Sequence, residues 1–310
     1  MTALSSFPVY CLLLTVYYGV VDLTNIPTIK NLLLNNKLWL SKKLGQHFLV
    51  SRHVLNEIIN ASNISKDDKV LEIGPGIGIL TIELLKKADK VIAVEKDAAL
   101  LNILKKTTKD FDNLIIQNKD ILSFDIDKEI QGHYQVVSNI PYYITSPVIR
   151  KFLEVKNRPS SLIIMVQKEV AERIIAKPPN MNILAVSVQF FAKPEIISFV
   201  PKDSFWPKPK VDSAIIKITV NPSTLLRVGS KQTPEKRIAE KLFFRLIKIG
   251  FSSPRKKLVN NLAAGFLLNK EETAKLIIKS GVDSNKRPQD LFLEDWKRMY
   301  NVFRDNKLLK

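Results

Sequence analysis

The sequence predicts an α/β fold in which a doubly wound parallel sheet is followed by a smaller helical domain. Short apolar runs alternate with helix-like segments between residues 54 and 220, which is typical of strands joined by crossover helices. A glycine-rich turn follows the first strand of this series. After Val220 the alternation stops, and helical patterns dominate from Lys236 onward. We therefore expect the domain boundary near Pro222.

The individual elements of the sheet domain follow from the spacing of apolar residues. Val54 to Ala61 is apolar at helical spacing, so a helix precedes the sheet. Strands are predicted over Lys69–Ile73, Lys90–Val94, Leu114–Gln117, Tyr134–Ser138, Ser161–Val166 and Ser213–Val220. Helices are predicted over Leu80–Lys87 and Ala98–Lys106. In a parallel sheet of this type, ligands bind at the carboxyl ends of the strands.

The composition excludes several classes of protein. The chain has 310 residues, of which 45% are hydrophobic and 25% charged, so it can bury a core and is not a disordered chain. The only cysteine is Cys11, which excludes a disulfide scaffold. The three histidines (His47, His53, His133) are scattered. Because structural zinc sites need clustered ligands, we expect no metal.

The net charge of +18 is unevenly distributed along the chain. Residues 1–40 carry +1, residues 41–220 carry +6, and residues 221–310 carry +11. An excess concentrated in the last ninety residues predicts a basic domain that binds a polyanion such as nucleic acid. The alternative is a solvated, lysine-rich helical surface with no partner.

Residues 1–40 differ from the rest of the sequence. No charged residue precedes Asp22, and residues 7–21 are apolar. This run contains Pro8 and is shorter than the ~20 residues of a membrane-spanning helix, and it lacks the basic start of a secretory signal. We interpret residues 1–40 as an extension outside the fold, from a mis-assigned start or an accessory segment. A membrane anchor remains the alternative.

The strongest local signal is the loop Glu72-Ile-Gly-Pro-Gly-Ile-Gly-Ile-Leu-Thr81, between a strand and a helix. Glycines allow the backbone to turn tightly and to approach a ligand closely. A dinucleotide fingerprint would need glycine at position 79, which is isoleucine. Glu95 ends the next strand, where a carboxylate can accept hydrogen bonds from both hydroxyl groups of a ribose. The loop and the acid predict a ligand that contains a nucleoside, whereas the alternative is an ordinary strand–helix turn.

The second signal is Asn139-Ile-Pro-Tyr-Tyr143, which follows the fourth predicted strand. The side-chain oxygen of Asn139 and a neighbouring backbone carbonyl provide two acceptors that could bind the two N–H groups of an exocyclic amine. Tyr142 provides an aromatic face on which a flipped base could stack. The alternative is a buried structural loop of proline and tyrosine.

Five motifs in this order resemble those of a known family. They are Lys43-Leu-Gly-Gln-His-Phe-Leu49, the EIGPGIG loop, Asn139-Ile-Pro-Tyr142, Met165-Val-Gln-Lys-Glu-Val-Ala-Glu-Arg173 and Phe205-Trp-Pro-Lys-Pro-Lys-Val-Asp-Ser213. The sequence is similar to bacterial small-subunit rRNA adenine dimethyltransferases, the enzymes tied to kasugamycin sensitivity. The resemblance runs from about Lys42 to the C-terminus.

This resemblance implies an architecture and an activity. Residues 41–222 would form a seven-stranded, Rossmann-like domain that uses S-adenosylmethionine, and residues 223–310 a small helical RNA-binding domain. The implied reaction is dimethylation at N6 of two adjacent adenosines in the 3′-terminal hairpin loop of 16S rRNA, during biogenesis of the small ribosomal subunit. We expect a cytoplasmic monomer without a stable protein partner.

The resemblance also assigns residues to the cofactor and to the target base. Implied cofactor contacts are His47, Leu49, Gly74, Gly76, Glu95, Asp120 and Asn139. Among them, Glu95 corresponds to the ribose acid and Asp120 to the acceptor of the adenine amine, while His47 could act through its backbone or its imidazole. Implied catalytic residues are Asn139, Ile140, Tyr142 and Phe205. Phe205 corresponds to an aromatic residue that could sandwich the target base against Tyr142.

The basic stretch from Lys241 to Lys257 contains six cationic and no acidic residues. It includes Phe251-Ser-Ser-Pro-Arg-Lys-Lys-Leu258, which is similar to the family's basic stretch, with Ser253 and Pro254 in place of glutamine and arginine. Our predicted RNA contacts are Lys248, Arg255, Lys256 and Lys257. Arg245 and Lys248 lie about one helical turn apart and can face the same phosphate path.

Two further departures affect the predicted site. Lys119 stands where the family usually has glycine, just before Asp120, and could tighten that turn. Lys177-Pro-Pro-Asn-Met-Asn-Ile-Leu184 replaces the family's usual glycine-containing loop, which lies beside the active site in relatives. We therefore expect the altered loop to affect either how substrate is positioned or which target is preferred.

Two other functions remain open at this point. The first is a large-subunit rRNA adenine N6-methyltransferase of the macrolide-resistance type, which often shares the Asn-Ile-Pro-Tyr motif. The second is a non-catalytic RNA-binding assembly factor on the same fold. The segments Leu44–Leu49 and Pro207–Ser213 favour the small-subunit enzyme over the first. The second is disfavoured because the site residues are intact, namely Glu95, Asp120, Asn139 and Tyr142.

Overall fold

A computed structural model describes residues 22–40, 46–221 and 234–309. Its centre is a seven-stranded sheet of β2 (Lys69–Ile73), β3 (Lys90–Glu95), β4 (Leu114–Asn118), β5 (Gln135–Asn139), β6 (Ser161–Gln167), β7 (Ala192–Val200) and β9 (Ser213–Val220). The strand order in the sheet is β4-β3-β2-β5-β6-β9-β7. A separate two-stranded ribbon pairs β1 (Phe48–Leu49) with β8 (Phe205–Trp206). The predicted doubly wound, seven-stranded fold is confirmed.

The sheet is mixed, so the expectation of an entirely parallel sheet is wrong. Strands β4, β3, β2, β5 and β6 run parallel, whereas β9 is antiparallel to both β6 and β7. The connection from Val200 to Ser213 contains no long crossover helix. Parallel neighbours require such a crossover, whereas antiparallel neighbours can be joined without one. The short connection therefore accounts for the reversal of β9.

Helices cover both faces of the sheet. In the first part of the chain they are α1 (Ile26–Asn35), α2 (Arg52–Ser62), α3 (Ile79–Lys87), α4 (Ala98–Thr107) and α5 (Ile126–Glu129). They continue with α6 (Thr145–Glu154), α7 (Lys168–Ile174) and α8 (Ile183–Phe191). Side chains alternate along each strand, so Leu71 and Ile73 enter one hydrophobic cluster while Val70 enters the other. Burial on both faces explains why the central strands are nearly continuous apolar runs.

The described part of the N-terminal extension belongs to the fold. Residues 22–40 contain α1, and its Ile29 and Leu33 are buried in the cluster that also holds α2 and α3. Asp22 forms a 2.8 Å ion pair with Arg52 at the start of α2. Our expectation that all of residues 1–40 lie outside the fold is therefore wrong for this part. The cause is the apolar stripe on α1, which must be buried against another element.

The described part of the C-terminal domain, residues 234–309, contains four α-helices. They are α9 (Pro234–Gly250), α10 (Leu258–Phe266), α11 (Lys270–Lys279) and α12 (Leu293–Asp305). Their core surrounds Trp296, which stacks on Phe251 with ring centroids 5.4 Å apart. The expected boundary at Pro222 lies outside the described residues, but the helical character of the domain is as predicted.

The helical domain packs directly on the sheet domain. The buried Arg158 guanidinium, next to β6, lies 3.5 Å from a carboxylate oxygen of Glu240 on α9. The same guanidinium lies 4.6 Å from the centre of the Phe191 ring. Aromatic rings of α8 and α9 also meet, with Phe190 and Phe243 stacked at 4.5 Å. These contacts fix the RNA-binding candidate residues relative to the sheet.

The substituted loop Lys177–Leu184 also packs against the helical domain. Met181 is buried in the core of the helical domain, and its backbone N–H donates to the Gln289 carbonyl over 3.1 Å. None of its residues lines the cavity at the strand ends. Burial of Met181 thus draws the loop toward the helices, and the effect of the loop on substrate positioning stays a prediction.

The described helices include none that is both long and apolar enough to cross a bilayer. The apolar stretch of residues 7–21, for which we considered a membrane anchor, lies outside the described residues.

Candidate active site

A cavity of about 460 Å³ opens at the carboxyl ends of β2, β3, β4 and β5. This size falls in the range of small-molecule sites. It is lined by all ten residues predicted to contact the cofactor or the target base: His47, Leu49, Gly74, Gly76, Glu95, Asp120, Asn139, Ile140, Tyr142 and Phe205. Residues from distant parts of the sequence therefore meet in one site.

The glycine loop forms the floor of the cavity between β2 and α3. Gly74 and Gly76 have φ angles of +63° and +59°, in the left-handed region that favours glycine. A Cβ atom on Gly76 would lie 3.4 Å from the Phe48 ring, and one on Gly74 would lie 3.6 Å from Pro141. Side chains at these positions would strain the backbone and fill space beside the ribbon. The loop is thus a cradle shaped for close approach of a ligand.

Glu95 ends β3 with its carboxylate bound to the glycine loop. One oxygen accepts from the Gly76 N–H over 3.3 Å, and the other accepts from the Asp97 N–H over 2.8 Å. Burial raises the pKa of Glu95 above its usual value, while these backbone donors oppose that effect. Each carboxylate oxygen can accept a second hydrogen bond. The Glu95 carboxylate is therefore suited to accept hydrogen bonds from the two hydroxyl groups of a diol.

Asp120 follows β4, the strand next to β3 in the sheet, and lines the same cavity. Its two oxygens accept from the Leu122 N–H and from the Lys96 ammonium, each over 2.9 Å. The Leu122 N–H and then Lys96 lower the pKa of Asp120, so this side chain is a carboxylate at neutral pH. Sequence analysis missed Lys96, because only the folded chain brings it to Asp120.

Lys119 does not distort the turn before Asp120. Its φ angle is not positive, and its ammonium lies 2.9 Å from a carboxylate oxygen of Glu129 and 5.5 Å from the Phe124 ring centre. The side chain thus finds partners outside the turn. Asp120 therefore lines the cavity although the residue before it is lysine and not glycine.

The Asn139 motif occupies the end of β5, followed by a single 3₁₀ turn over Tyr142–Ile144. The Asn139 amide N–H group points to the His47 carbonyl oxygen at 3.5 Å. This long contact orients the amide so that its oxygen remains available to a ligand. Ile140 is buried, which keeps its backbone next to Asn139 in a fixed position.

The β1–β8 ribbon brings the N-terminal motif and Phe205 together. Phe48 pairs with Trp206, and Leu49 pairs with Phe205. The His47 ring nitrogen Nδ1 lies 2.6 Å from the Pro207 carbonyl oxygen, so Nδ1 carries the proton and donates. This contact gives the imidazole a structural role beside the ribbon, whereas its contact with the cofactor stays a prediction.

Tyr142 and Phe205 both line the cavity, but they do not stack on each other in the described structure. The ring that faces Tyr142 belongs to His47, with centroids 6.3 Å apart and planes inclined by 23°. Phe205 is only 4% exposed and forms part of a wall. A base sandwiched by Phe205 and Tyr142 remains a prediction.

Glu72 is a further cavity residue, to which sequence analysis gave no role. It lies in β2, two residues before Gly74, and only 2% of it is exposed. Burial raises the pKa of its carboxyl to about 8, against an opposing effect of Thr81 and with a contribution from Glu95. The sequence feature that could have identified it is a glutamate within a strand that is buried on both faces, where charged residues are rarely found.

The predicted RNA contacts are exposed and lie apart from the cavity. Lys248 is in the last turn of α9, and Arg255, Lys256 and Lys257 occupy the connection to α10. Lys257 donates to the Asn285 side chain over 2.7 Å. Arg245 is exposed on the same face of α9 as Lys248. These cations lie in the last turns of α9 and in the connection that follows it, and their contact with RNA remains a prediction.

Comparisons with known proteins find relatives over most of the chain. The family model described as ribosomal RNA adenine dimethylase matches residues 39–305. A ribosomal RNA small subunit methyltransferase A from Dehalococcoides mccartyi is 43% identical over 261 residues, which cover 83% of this chain and 86% of the relative. A protein of the same name from Clostridioides difficile is 37% identical, covering 84% of this chain and 90% of the relative.

Two solved structures share the architecture over most of the chain. A dimethyladenosine transferase from Plasmodium falciparum superimposes with a TM-score of 0.70 and 27% identity, covering 83% of this chain and 97% of that one. The 23S rRNA methyltransferase ErmE gives a TM-score of 0.65 with 24% identity, covering 83% of this chain and 99% of that one. At 24% identity, the similarity to ErmE shows a shared fold only.

Proposed function

The chain belongs to the ribosomal RNA adenine dimethylase family, and we propose that its substrate is a pair of adjacent adenosines in the 3′-terminal hairpin loop of 16S rRNA. It is an S-adenosylmethionine-dependent rRNA adenine dimethyltransferase. The observation that carries the proposal is the meeting of the Asn139 motif with the glycine cradle in one cavity. Relatives named for the small ribosomal subunit support this choice of rRNA.

The residues present fit the cofactor. The cradle at Gly74 and Gly76 leaves space that a Cβ atom would fill, and Glu95 offers two oxygens fixed by backbone N–H groups. We propose that Glu95 accepts from the ribose hydroxyls and Asp120 from the adenine amine. His47 and Leu49 also line the cavity. When bound, S-adenosylmethionine supplies an electrophilic methyl group.

We propose that this chain contributes to the reaction mainly by positioning the target amine. The lone pair of adenine N6 is delocalised into the ring, so the amine is a poor nucleophile. The Asn139 side-chain oxygen and the Ile140 carbonyl can accept its two N–H groups and turn the lone pair away from the ring. Fixed donor and acceptor geometry of this kind lowers the barrier through orientation. Tyr142 provides the face that holds the base.

The basic surface of the helical domain would bind the rRNA backbone away from the cavity. Lys248, Arg255, Lys256 and Lys257 are exposed, and their charge supplies affinity that does not depend on base sequence. The contacts of Arg158 and Phe190 with α9 hold this surface at a fixed position relative to the site. We expect the enzyme to act as a cytoplasmic monomer on a precursor of the small subunit.

The test is methyl transfer from tritium-labelled S-adenosylmethionine to isolated precursors of the two ribosomal subunits. We expect labelled N6,N6-dimethyladenosine in the 3′-terminal hairpin of the small-subunit rRNA and none in the large-subunit precursor. Transfer to the large-subunit rRNA would instead support the macrolide-resistance type. RNA binding without transfer to either would support a non-catalytic assembly factor.

A further inference from the structure

A second cavity lies beside the Asn139 motif, at the same edge of the sheet. Its volume is about 340 Å³, and it opens where β6 ends and β9 begins. The charged side chains that line it are Lys168, Glu169, Glu172, Lys202, Lys210 and Asp212. We call this cavity the flanking pocket. Its volume lies at the lower end of the range for small-molecule sites, which suits a ligand of the size of one nucleotide.

Hydrogen bonds attach the flanking pocket to Tyr142. Asp212 precedes Ser213, whose hydroxyl is hydrogen-bonded to the Tyr142 hydroxyl over 2.6 Å. The Lys168 N–H donates to the Asp212 carbonyl and the Lys202 N–H donates to the Asp212 carboxylate, each over 3.0 Å. Burial raises the pKa of the Tyr142 hydroxyl, and the nearby charge of Asp212 adds to this effect. The flanking pocket is therefore held in a fixed position next to the loop that faces the target base.

An exposed aromatic ring lies next to the flanking pocket. Phe199 is one residue from the end of the edge strand β7, and 55% of it is exposed. The Lys168 ammonium lies 5.1 Å from the centre of its ring. Strand β7 is three positions from β5 in the sheet, about 14 Å, since neighbouring strands are about 4.8 Å apart. An exposed aromatic ring beside lysines is typical of surfaces that bind single-stranded nucleic acid.

The charges of the flanking pocket restrict the ligand that it can bind. Among the described residues, none forms an ion pair with Lys168, Lys202 or Lys210. Three lysines and three carboxylates line the pocket, so their charges sum to zero and an inorganic anion gains no general attraction. A nucleotide fits better, because its phosphate can accept hydrogen bonds from lysines while the N–H groups of its base donate to carboxylates.

We propose that the flanking pocket and Phe199 bind the nucleotide next to the target adenosine, with its phosphate on Lys202 and Lys210 and its base stacked on the Phe199 ring. This rests on the proposed function, because it takes an rRNA with two adjacent adenosines as the substrate. One adenosine is held at Asn139 while the other occupies the flanking pocket. The pair of adenosines, and not a single adenosine, is then the unit that the enzyme recognises.

The experiment measures dissociation constants for a small-subunit rRNA hairpin and for two hairpins in which one or the other adenosine is replaced by an abasic residue. The wild type should bind at least one abasic hairpin about fivefold or more weakly than the intact hairpin, the loss expected for one stacked base. Phe199→Ala should show this loss with the intact hairpin and little further loss with the abasic one, because both changes remove the same contact. Phe199→Tyr keeps the ring and should behave as the wild type.

The lysines are tested by the salt dependence of binding. The double variant Lys202→Ala and Lys210→Ala should reduce the slope of log K against log salt by about 0.7, the value for one phosphate on a single strand. Matched controls on β7 are Lys193→Ala, at the opposite end of the strand, and Ile197→Ala, which is also exposed. Both controls should discriminate the intact from the abasic hairpins as the wild type does. Affinity for S-adenosylmethionine should not change in any variant, because none of these residues lines the cofactor cavity.

Three results would overturn the proposal. The first is a wild type that binds the intact and both abasic hairpins equally. The second is Phe199→Ala with the affinity of the wild type for the intact hairpin. The third is a loss in Phe199→Ala that occurs only with the whole subunit precursor, which would assign the ring to a ribosomal protein. Failure of the proposed function is a different result, because the wild type would then transfer no methyl group to the intact hairpin.

Discussion

The phenolic hydroxyl of Tyr142 and the hydroxyl of Ser213 are joined by a hydrogen bond of 2.6 Å. Ser213 is the first residue of β9, so this bond attaches the loop of the Asn139 motif to the reversed strand. The Tyr142 ring is held on the cavity wall, nearly parallel to the imidazole of His47. The ring and the hydroxyl therefore have separable roles, the first toward a base and the second toward the position of the loop.

Replacing Tyr142 should separate these two roles. In Tyr142→Ala the stacking face is lost, which should weaken binding of substrate RNA by about 1–3 kcal/mol for one base. Tyr142→Phe keeps the ring and should retain most of that affinity. The measurement is the dissociation constant for a small-subunit rRNA hairpin, with cofactor affinity as a control. Equal losses in the two variants would mean that the hydroxyl, and not the ring, determines base capture.

Removing the carboxylate of Glu95 should weaken binding of the cofactor more than binding of the RNA. In Glu95→Ala the ribose loses its acceptors, and the Gly76 N–H loses its partner. Loss of a hydrogen bond to a charged group costs about 1.5–3 kcal/mol, so the dissociation constant of S-adenosylmethionine should rise by at least tenfold. Calorimetry measures this constant directly. Normal cofactor binding combined with weakened RNA binding would contradict the ribose role.

Much of the sheet could be predicted because its strands are buried on both faces. All six predicted strands agree with the structure to within one residue at each end, and β2 and β9 have the predicted bounds at both ends. The strand β7 was missed because it lies at the sheet edge, where exposed and buried residues alternate, and it contains Lys193 and Pro194. Edge strands tolerate charge and proline, so they lack the continuous apolar signal of the centre.

The site was predictable where its residues are adjacent in sequence. The glycine loop and the Asn139 motif each carry local constraints, such as the positive φ angles at Gly74 and Gly76. Contacts between distant segments could not be predicted from any local pattern. The Lys96–Asp120 ion pair and the burial of Glu72 under α3 exist only because the sheet order brings β2, β3 and β4 together.

The buried Glu72 should make the free enzyme less stable as the pH rises. The pKa of its carboxyl is about 8 in the folded state and 4.5 in the reference state, so the folded chain binds more protons between these values. The free energy of unfolding therefore falls from about pH 4.5 to pH 8, by about 1.4 kcal/mol for each unit by which the two pKa values differ.

Denaturant unfolding across this range, without cofactor, measures the effect. Glu72→Gln should lose less stability than the wild type between pH 5 and pH 8, and Glu154→Gln, which replaces an exposed carboxyl outside the cavity, should follow the wild type. A Glu72→Gln profile that runs parallel to that of the wild type would show that the carboxyl does not bind a proton in the folded state.

The basic surface of the helical domain should control the salt dependence of RNA binding. In the triple variant Arg255→Ala, Lys256→Ala and Lys257→Ala, loss of three phosphate contacts should reduce the slope of log K against log salt by up to about 2, since each contributes roughly 0.7 on single strands. Cofactor affinity should not change, because none of the three residues lines the cavity.

A matched control for the salt experiment is available on the sheet domain. Lys87, Lys105 and Lys109 are exposed and lie outside the cavity, and their replacement by alanine removes the same net charge. The control should lower affinity slightly and leave the slope nearly intact. If both triple variants changed the slope equally, general charge rather than this surface would attract the RNA.

The central claim is that Asn139 and the Ile140 carbonyl position adenine N6 for methyl transfer. Single-turnover transfer to small-subunit precursors by Asn139→Ala, measured beside cofactor binding by calorimetry, tests this claim most directly. We predict a rate lower by about 10²-fold or more, the cost of a misplaced reacting group, with a dissociation constant for S-adenosylmethionine within about threefold of the wild type. A rate within about threefold of the wild type would contradict the account, because positioning by Asn139 would then contribute nothing to the reaction.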